Sequence, residues 1–364
     1  MNRLIRAVID AGALRHNLRT IRERARGARV MAVVKANAYG HGLVPAALAL
    51  AESDAFAVAR LEEGLALRAA GIIQPIVLLE GVFAPEHVLE AARHGFELVV
   101  HDPLQVELLE EFSGTHRFIL WMKIDTGMNR LGFRPEEFAG ALERVQRLQP
   151  APLEIRLLTH LARADDQDDR VTRAQLARFK ETTRGLDYAV SIANSAGLFG
   201  KVRLGCDWVR PGLALYGASP FADRSARELE LQPAMSLETS VIAVRRVPRG
   251  ESVGYGGTWQ AARDSHVAIV AAGYGDGLAR ALPSGTPVLI GGQRAPLVGR
   301  VSMDMIAVDV TDLQLAPEGG RVHVGTPVVL WGEDLPVEEV ARHAGTIPYE
   351  LLCGVSQRVP LELR

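Results

Sequence analysis

The hydrophobic residues between Val30 and Gly217 fall into short runs that alternate with segments of helical period. Runs that are apolar at every position are typical of strands buried on both faces of a parallel sheet. The eight runs are VMAVVKA, DAFAVA, PIVLLEG, FELVV, RFILWMKID, LEIRLLTH, DYAVSIANS and DWVRPGLALYG. Strands that alternate with helices imply βαβ units. Eight such units predict a (β/α)8 barrel, and an open doubly wound sheet is the alternative.

The pattern changes near Gln232. From there the runs are short, rich in valine, isoleucine and threonine, and interrupted by glycine and proline, as in VPRGESVGYGG and TPVLIGGQRAP. Such runs with closely spaced turns are typical of an all-β domain. One short helix, PVEEVARHAG, precedes the final segment. We therefore expect two domains, a barrel over residues 1–232 and a mainly-β domain over residues 233–364.

The bulk composition is that of an ordinary globular protein. The 364 residues are enough for two domains. The net charge of −2 gives no reason to expect a nucleic acid or an anionic membrane as a partner. Cys206 and Cys353 form neither a disulfide framework nor a metal-ligand spacing, so we expect no metal site and a cytoplasmic location. No apolar run reaches about 18 residues, and Arg3, Arg6 and Asp10 interrupt the first one, so we expect no membrane span and no signal peptide.

Polar residues recur where the predicted strands end. They are Lys35, the loop Lys123–Arg130, His160, Ser195 and Arg210. In a barrel, catalytic residues project from the C-terminal ends of the strands. A lone lysine at a strand end is more often a solvated terminus than a nucleophile, but the recurrence favours a site. Lysine is also rare in this chain, with four among the 41 basic residues, and lysine forms imines whereas arginine does not.

Glycine-rich segments indicate an anion site at the same end of the barrel. AYGHG follows Lys35, while ANSAG and RPGLALYG follow the last two strands, where barrels commonly bind phosphate. Glycine lets backbone N–H groups approach an anion closely, and Ser195 and the Gly212 amide are further donors. An imine-forming lysine beside a phosphate site suggests pyridoxal phosphate (PLP). A cofactor-free Schiff-base lyase needs the same two features and is the alternative at this point.

Nine motifs make the interpretation specific. They are AVVKANAYGHG, KIDTGMNRLGF, THLA, ANSAG, VRPGLALYG, VGYGGTW, GYGDG, GRVSMDM and IPYELLCGVSQRVP. In this order, and over nearly the whole chain, they resemble the motif series of alanine racemase. The resemblance implies a PLP-binding barrel followed by a β domain, in a homodimer whose active sites take residues from both chains. It also implies interconversion of L- and D-alanine by two bases, with D-alanine supplied for peptidoglycan.

The resemblance assigns the two bases. Lys35 would hold PLP as an imine and act as one base, and Tyr255 of the β domain would be the other. Racemisation removes a proton from one face of a planar carbon and delivers one to the opposite face, so two flanking bases satisfy its geometry. A free tyrosine has a pKa of about 10, and His160 resembles the family residue that hydrogen-bonds this tyrosine. Without the resemblance, Tyr255 would be interpreted as a core or interface aromatic residue.

The other site residues are also implied by the resemblance. Arg210 would contact the pyridine nitrogen of PLP, and because arginine stays protonated, we expect weak electron withdrawal by the ring and little transamination. The phosphate would be bound by Tyr39, Ser195, Gly212, Leu213 and Tyr349. The substrate would be bound by Arg130 and the Met303 amide, with Tyr274 and Asp304 at the entrance. Lys123 matches a lysine that is carbamylated in some family members.

Three positions depart from the residues of some family members. Ser191, Ser302 and Gln357 stand where those members carry histidine, cysteine and tyrosine, which bears on rate and pH optimum rather than on reaction class. Three other functions remain alternatives: a serine or broad-specificity amino-acid racemase, a PLP amino-acid decarboxylase of the same fold, and a non-catalytic PLP protein built on a barrel. Arg210 and VGYGG argue against the decarboxylase, and residues 233–364 argue against the non-catalytic protein.

Overall fold

The computed structural model describes residues 4–313 and 320–364. The chain begins with a short strand and a helix, β1 (Arg6–Ile9) and α1 (Ala11–Ala25). Eight strands follow, each overlapping one of the eight apolar runs: β2 (Arg29–Val33), β3 (Ala55–Val58), β4 (Ile76–Leu78), β5 (Glu97–Val100), β6 (Ile119–Lys123), β7 (Glu154–Leu158), β8 (Val190–Ser191) and β9 (Trp208–Val209).

The eight strands form a closed parallel barrel. β9 pairs with β2, with Arg29 opposite Trp208 and Val30 opposite Val209. All four residues of β3 are buried, because helices cover the outside of the barrel and side chains fill its interior. The (β/α)8 barrel that the sequence predicts is confirmed, and the open doubly wound sheet is excluded.

Helices connect the barrel strands. They are α2 (Lys35–Tyr39), α3 (Leu43–Ala49), α4 (Leu61–Ala69), α5 (Pro85–His94), α6 (Pro103–Glu110), α7 (Pro135–Gln146), α8 (Arg170–Thr182) and α9 (Ser195–Phe199). Three of them, α5 to α7, begin with proline, whose fixed φ suits the first turn and whose missing N–H is not needed there.

The second part of the chain is mainly strand. Its strands are β10 (Met235–Val247), β11 (Ser252–Val253), β12 (Trp259–Gln260), β13 (Ser265–Val270), β14 (Pro287–Ile290), β15 (Gln293–Val298), β16 (Ile306–Asp309), β17 (Pro327–Trp331) and β18 (Leu361–Leu363). The long strand β10 pairs with both β13 and β17, which closes six of these strands into a ring. The mainly-β architecture of this part is confirmed.

The first strand of the chain belongs to this second sheet. β1 pairs antiparallel with β10, with Ala7 opposite Leu237, and parallel with β18, with Ala7 opposite Leu361. The sheet therefore takes strands from both ends of the chain, on either side of the barrel in sequence. The domain boundary near residue 232 stays a prediction.

Two helices, α10 (Val337–Ala344) and α11 (Pro348–Gly354), precede β18. α11 packs against α2 so closely that a Cβ at Gly40 would overlap the carbonyl oxygen of Leu352. Gly40 also has a φ of 81°, so glycine is required there for both space and conformation. The contact brings Tyr349 to the mouth of the barrel. Within residues 4–313 and 320–364, no helix is both long and apolar enough to cross a membrane.

A buried ion pair lies inside the barrel, away from its mouth. Arg156 on β7 pairs with Glu97, the first residue of β5, at 3.1 Å. Trp121 donates its indole N–H to the same carboxylate at 2.7 Å. The guanidinium lies 5.0 Å from the ring centre of Trp121 and 5.1 Å from that of Trp208. Each buried charge thus has a partner, as burial of charge requires.

Candidate active site

The carboxyl ends of the barrel strands open into a cavity of about 1050 Å³. Ten of the residues predicted for the site line it: Lys35, Tyr39, Lys123, Arg130, His160, Ser195, Arg210, Gly212, Leu213 and Tyr349. These residues come from five of the strand–loop units and from α11, so the barrel brings together side chains that are far apart in sequence. Their location agrees with the rule that barrel sites form at this end of the strands.

Lys35 is followed by a turn of left-handed helix. Ala36, Asn37 and Ala38 have φ angles of 53°, 55° and 54°, and Tyr39 has a φ of 52°. Each L-residue in this conformation costs roughly 1–2 kcal/mol, so the turn stores on the order of 4–8 kcal/mol. Strain of this kind persists where the surroundings over-determine it, commonly at active sites. Here it places Lys35 at one end of the turn and Tyr39 at the other, both on the cavity wall.

Hydrogen bonds to groups outside the turn help to hold it. The backbone N–H of Ala36 donates to Oε1 of Glu63 at 2.7 Å, and the N–H of Leu43 donates to Oδ1 of Asn37 at 2.8 Å. Glu63 lies on α4, which follows the next barrel strand. Sequence reasoning did not identify Glu63, because it belongs to none of the motifs and its contact depends on the fold.

A cradle for an anion forms around Ser195. Its Oγ accepts the backbone N–H groups of Gly212 at 3.0 Å and of Ala214 at 3.2 Å. A Cβ at Gly212 would overlap the hydroxyl group of Tyr39, so the close approach of hydroxyl and backbone requires glycine. Hydroxyl groups and backbone amides together are typical donors to a phosphate.

The two tyrosines of this cradle are hydrogen-bond donors. The rings of Tyr39 and Tyr349 lie 5.8 Å apart. Burial raises the pKa of Tyr349 to about 12 and raises the pKa of Tyr39 as well. Both hydroxyl groups therefore keep their protons at neutral pH and are able to donate to a bound anion.

Arg210 is buried at the base of the cavity. It donates to Oγ of Ser191 and to the carbonyl oxygen of Thr159, each at 2.6 Å. Burial lowers the pKa of Arg210 to about 10, which leaves it charged at neutral pH. The sequence marks Ser191 only as a departure from some family members. The Thr159 contact is not predictable from sequence, because every residue has a backbone carbonyl and residue type does not indicate which one accepts a hydrogen bond.

His160 lies beside this arginine. The distance from Nη2 of Arg210 to Nδ1 of His160 is 3.5 Å. Burial, and then the positive charge of Arg210, lowers the pKa of His160 well below its usual range, so the imidazole is neutral. Because a guanidinium only donates, Nδ1 faces it as the acceptor and Nε2 carries the proton. His160 thus has a donor available for another group.

Lys123 lies in a cluster of cations. It is buried at the end of β6, and burial together with the charges of Arg210, Arg130 and Lys35 lowers its pKa to about 8. The cluster gives the cavity a positive field that suits a carboxylate substrate. The carbamylation of Lys123 stays a prediction.

Three predicted site residues lie elsewhere, on the surface of the β part. Tyr255, Tyr274 and Met303 are 68%, 42% and 54% exposed. The Tyr274 N–H donates to the carbonyl oxygen of Ser302 at 3.0 Å, and the backbone around Tyr255 lies near Arg300. We call this group of three loops, residues 254–257, 273–277 and 300–304, the tyrosine patch.

An ion-pair clamp holds two loops of the tyrosine patch together. Arg358 donates to Asp276 and to Asp304, each at 2.7 Å. A Cβ at Gly275 would lie 2.9 Å from the guanidinium carbon of Arg358, so any side chain there would have to displace the guanidinium from the clamp. The sequence placed Asp304 near the site but did not identify Arg358, because the clamp joins residues far apart in the chain.

Comparison with known proteins agrees with this geometry. The sequence models of the alanine racemase N-terminal and C-terminal domains match residues 9–220 and 234–363. An alanine racemase of Nitrosococcus oceani is 49% identical over 97% of this chain and 98% of its own. A catabolic alanine racemase of Pseudomonas putida is 47% identical over 98% of this chain and 97% of its own.

Solved structures are similar over the same extent. The biosynthetic alanine racemase of Pseudomonas aeruginosa matches with a TM-score of 0.94 and 44% identity, covering 100% of this chain and 99% of its own. The alanine racemase of Bacillus anthracis with bound L-Ala-P matches with a TM-score of 0.85 and 33% identity, covering 100% and 96%. The chain therefore belongs to the alanine racemase family.

Proposed function

We propose that this protein interconverts L- and D-alanine with PLP bound at Lys35, in a homodimer whose two subunits complete each other's sites. The observation that carries the proposal is that the two predicted bases lie in different places on one chain, one in the cavity and one in the tyrosine patch. Lys35 lies in a cavity with an anion cradle and a cluster of cations, whereas Tyr255 is exposed on the β part of the same chain. A second subunit that covers the cavity with its tyrosine patch would bring the two together.

The cavity residues fit PLP. The hydroxyl groups of Ser195, Tyr39 and Tyr349 would donate to its phosphate together with the Leu213 amide, while the amides of Gly212 and Ala214 hold the Ser195 hydroxyl in place. Arg210 would supply a charged donor for the ring nitrogen. The overlap that a Cβ at Gly212 would make with the Tyr39 hydroxyl supports a cradle in which backbone approaches the anion closely. When bound, PLP supplies an aldehyde for imine formation and a ring that withdraws electrons from the substrate α-carbon.

Lys35 and the partner's Tyr255 would then move the proton. A lysine amine on one side accepts or returns the α-proton, and a tyrosine on the other side does the reverse. A tyrosine needs help to ionise near neutral pH, since its usual pKa is about 10. Neutral His160, with Nε2–H as the donor, would stabilise the phenolate by a hydrogen bond.

Arg210 favours racemisation over the alternatives. Its guanidinium is a donor without an acceptor site and is fixed by Ser191 and Thr159, so a ring nitrogen that faces it is not protonated by it. Strong electron withdrawal, which decarboxylation and transamination use, is then limited. A serine or broad-specificity racemase stays the second candidate, and the L-Ala-P bound by the Bacillus anthracis relative favours alanine.

Two measurements test the proposal. The purified protein should absorb as a PLP imine, and borohydride followed by mass spectrometry should place the reduced cofactor on the peptide that contains Lys35, with Lys35→Ala as the control. The circular dichroism of either L- or D-alanine should then decay to zero, with kcat/KM higher for alanine than for serine. A colourless protein, or one that leaves both alanine signals unchanged, contradicts the proposal.

We also propose that the D-alanine serves peptidoglycan synthesis, as the family resemblance implies. Disruption of the gene should then create a requirement for D-alanine, which complementation by the wild-type chain removes and complementation by Lys35→Ala does not. Growth of the disrupted strain without D-alanine, in the absence of a second racemase gene, would contradict this role.

A further inference from the structure

His41 is buried beneath the left-handed turn and its ring has a single possible proton arrangement. Nδ1 lies 2.9 Å from the carbonyl oxygen of Tyr39 and 3.1 Å from that of Ala38. Carbonyl oxygens only accept, so Nδ1 carries the proton. Nε2 is buried without a hydrogen-bond partner among the described residues. Burial lowers the pKa of His41 to about 4, so the ring is neutral near pH 7.

The same ring supports a stack of aromatic rings that ends at the cavity. His41 lies 4.5 Å from the ring of Tyr216, and Tyr216 lies 4.7 Å from the ring of Tyr39. Tyr216 is itself fixed, because its hydroxyl donates to the carbonyl oxygen of Val33 at 2.9 Å. Tyr39 is therefore held through its backbone carbonyl and through one face of its ring.

We propose that His41 is a positioning residue, which acts through Tyr39 on the phosphate group of the cofactor. Its Nδ1–H holds the end of the strained turn at Tyr39 and thereby sets the direction of the Tyr39 hydroxyl, while Tyr216, which is fixed by its own bond to Val33, supports the face of the Tyr39 ring. The contacts lie at the Tyr39 end of the turn, whereas Glu63 holds the Lys35 end. The effect of His41 thus falls on phosphate binding and not on imine formation. The proposal rests on the proposed function, since it needs PLP as the cofactor.

Two variants that both lack the imidazole ring differ in where they place an N–H donor. His41→Asn keeps an N–H near the position of Nδ1, and His41→Gln moves it toward the position of Nε2. The probes are PLP and pyridoxal, which lacks the phosphate, and the readout is the dissociation constant of each from the apo-enzyme by absorbance. Val328→Ala, in the buried face of β17, is the control for loss of stability alone.

We expect His41→Gln to weaken PLP binding by about tenfold, the effect of one lost hydrogen bond, with pyridoxal binding unchanged. His41→Asn should bind PLP within about threefold of wild type, since it keeps the bond, and Val328→Ala should bind both probes as wild type does. In a double-mutant cycle with Tyr39→Phe, His41→Gln should add no further loss of PLP affinity, because both act on one contact. Equal weakening of PLP and pyridoxal, or full additivity with Tyr39→Phe, overturns the proposal.

A second measurement uses the wild-type protein, so it does not depend on whether a variant folds. In the protein labelled with ¹⁵N-histidine, His41 should show a protonated Nδ1 and a bare Nε2 from pH 8 down to pH 6. An Nε2–H tautomer, or a doubly protonated ring at pH 6, overturns the proposal. Failure of the wild-type protein to bind PLP at all would instead contradict the proposed function, and the two failures are thereby distinguished.

Discussion

A shared active site predicts how active a heterodimer of two inactive variants should be. If each site consists of Lys35 from one subunit and Tyr255 from the other, a heterodimer of Lys35→Ala and Tyr255→Phe has one site with both changes and one intact site. It should therefore show about half the activity of the wild-type dimer. Each homodimeric parent should lose about 10²–10⁴-fold, the usual contribution of a general acid–base group.

The control carries the same two substitutions in one chain. A heterodimer of the double variant Lys35→Ala/Tyr255→Phe with a wild-type chain has one substitution in each site, so we expect it to be as inactive as the parents. Co-expression with two different affinity tags yields both heterodimers, and coupled oxidation of D-alanine measures their rates. If the site were complete within one chain, the first heterodimer would be inactive and the second half active. That result would refute the shared site.

Three further predictions concern single positions. Gly212→Ala should weaken PLP binding at least about tenfold while leaving the melting temperature within a few degrees, because its methyl group would overlap the Tyr39 hydroxyl; unchanged PLP affinity by absorbance titration would contradict the cradle. Arg156→Met should lower the free energy of unfolding, measured in urea, by about 3–5 kcal/mol, since it leaves Glu97 buried without its cation. The double variant Arg156→Met/Glu97→Gln should recover part of that loss, and no recovery would contradict the pairing. The pKa of Lys123 is lowered to about 8 in the folded protein, so between pH 8 and the ordinary lysine pKa the folded protein binds fewer protons at this group than the unfolded protein does. The free energy of unfolding should therefore rise with pH through that window. Urea unfolding from pH 7 to 10 should show the rise in wild type and not in Lys123→Met, and equal profiles would contradict it.

The barrel is predictable from sequence because its strands are buried on both faces. That burial leaves continuous apolar runs such as AFAV in β3, and a charge such as Lys35 at the end of a run is then conspicuous. The motif order identifies the residues of the cavity as well, because loops at the strand ends carry them in chain order. Apolar runs and motifs are properties of residues that are close in sequence, and they therefore locate strands and the ends of strands.

The left-handed turn was not predictable. Ala36, Asn37, Ala38 and Tyr39 include no glycine, and no local preference favours positive φ in four successive residues. The turn exists because Glu63 and α11, which are distant in sequence, hold it in place. The separation of Tyr255 from the cavity within one chain is likewise a property of the fold, which motif order does not report.

The pairing of β1 with β10 and β18 has a consequence for synthesis on the ribosome. β1 is synthesised before the barrel strands, yet one of its neighbours, β18, is synthesised only after them. The barrel is able to close before then, since all its strands precede β10. Arg6–Ile9 has unpaired edges until β10 and then β18 are made, and such edges are templates for association between nascent chains. Contacts between segments so far apart in sequence form slowly, and we therefore expect the pairing of β1 with β18 to be among the last steps of folding.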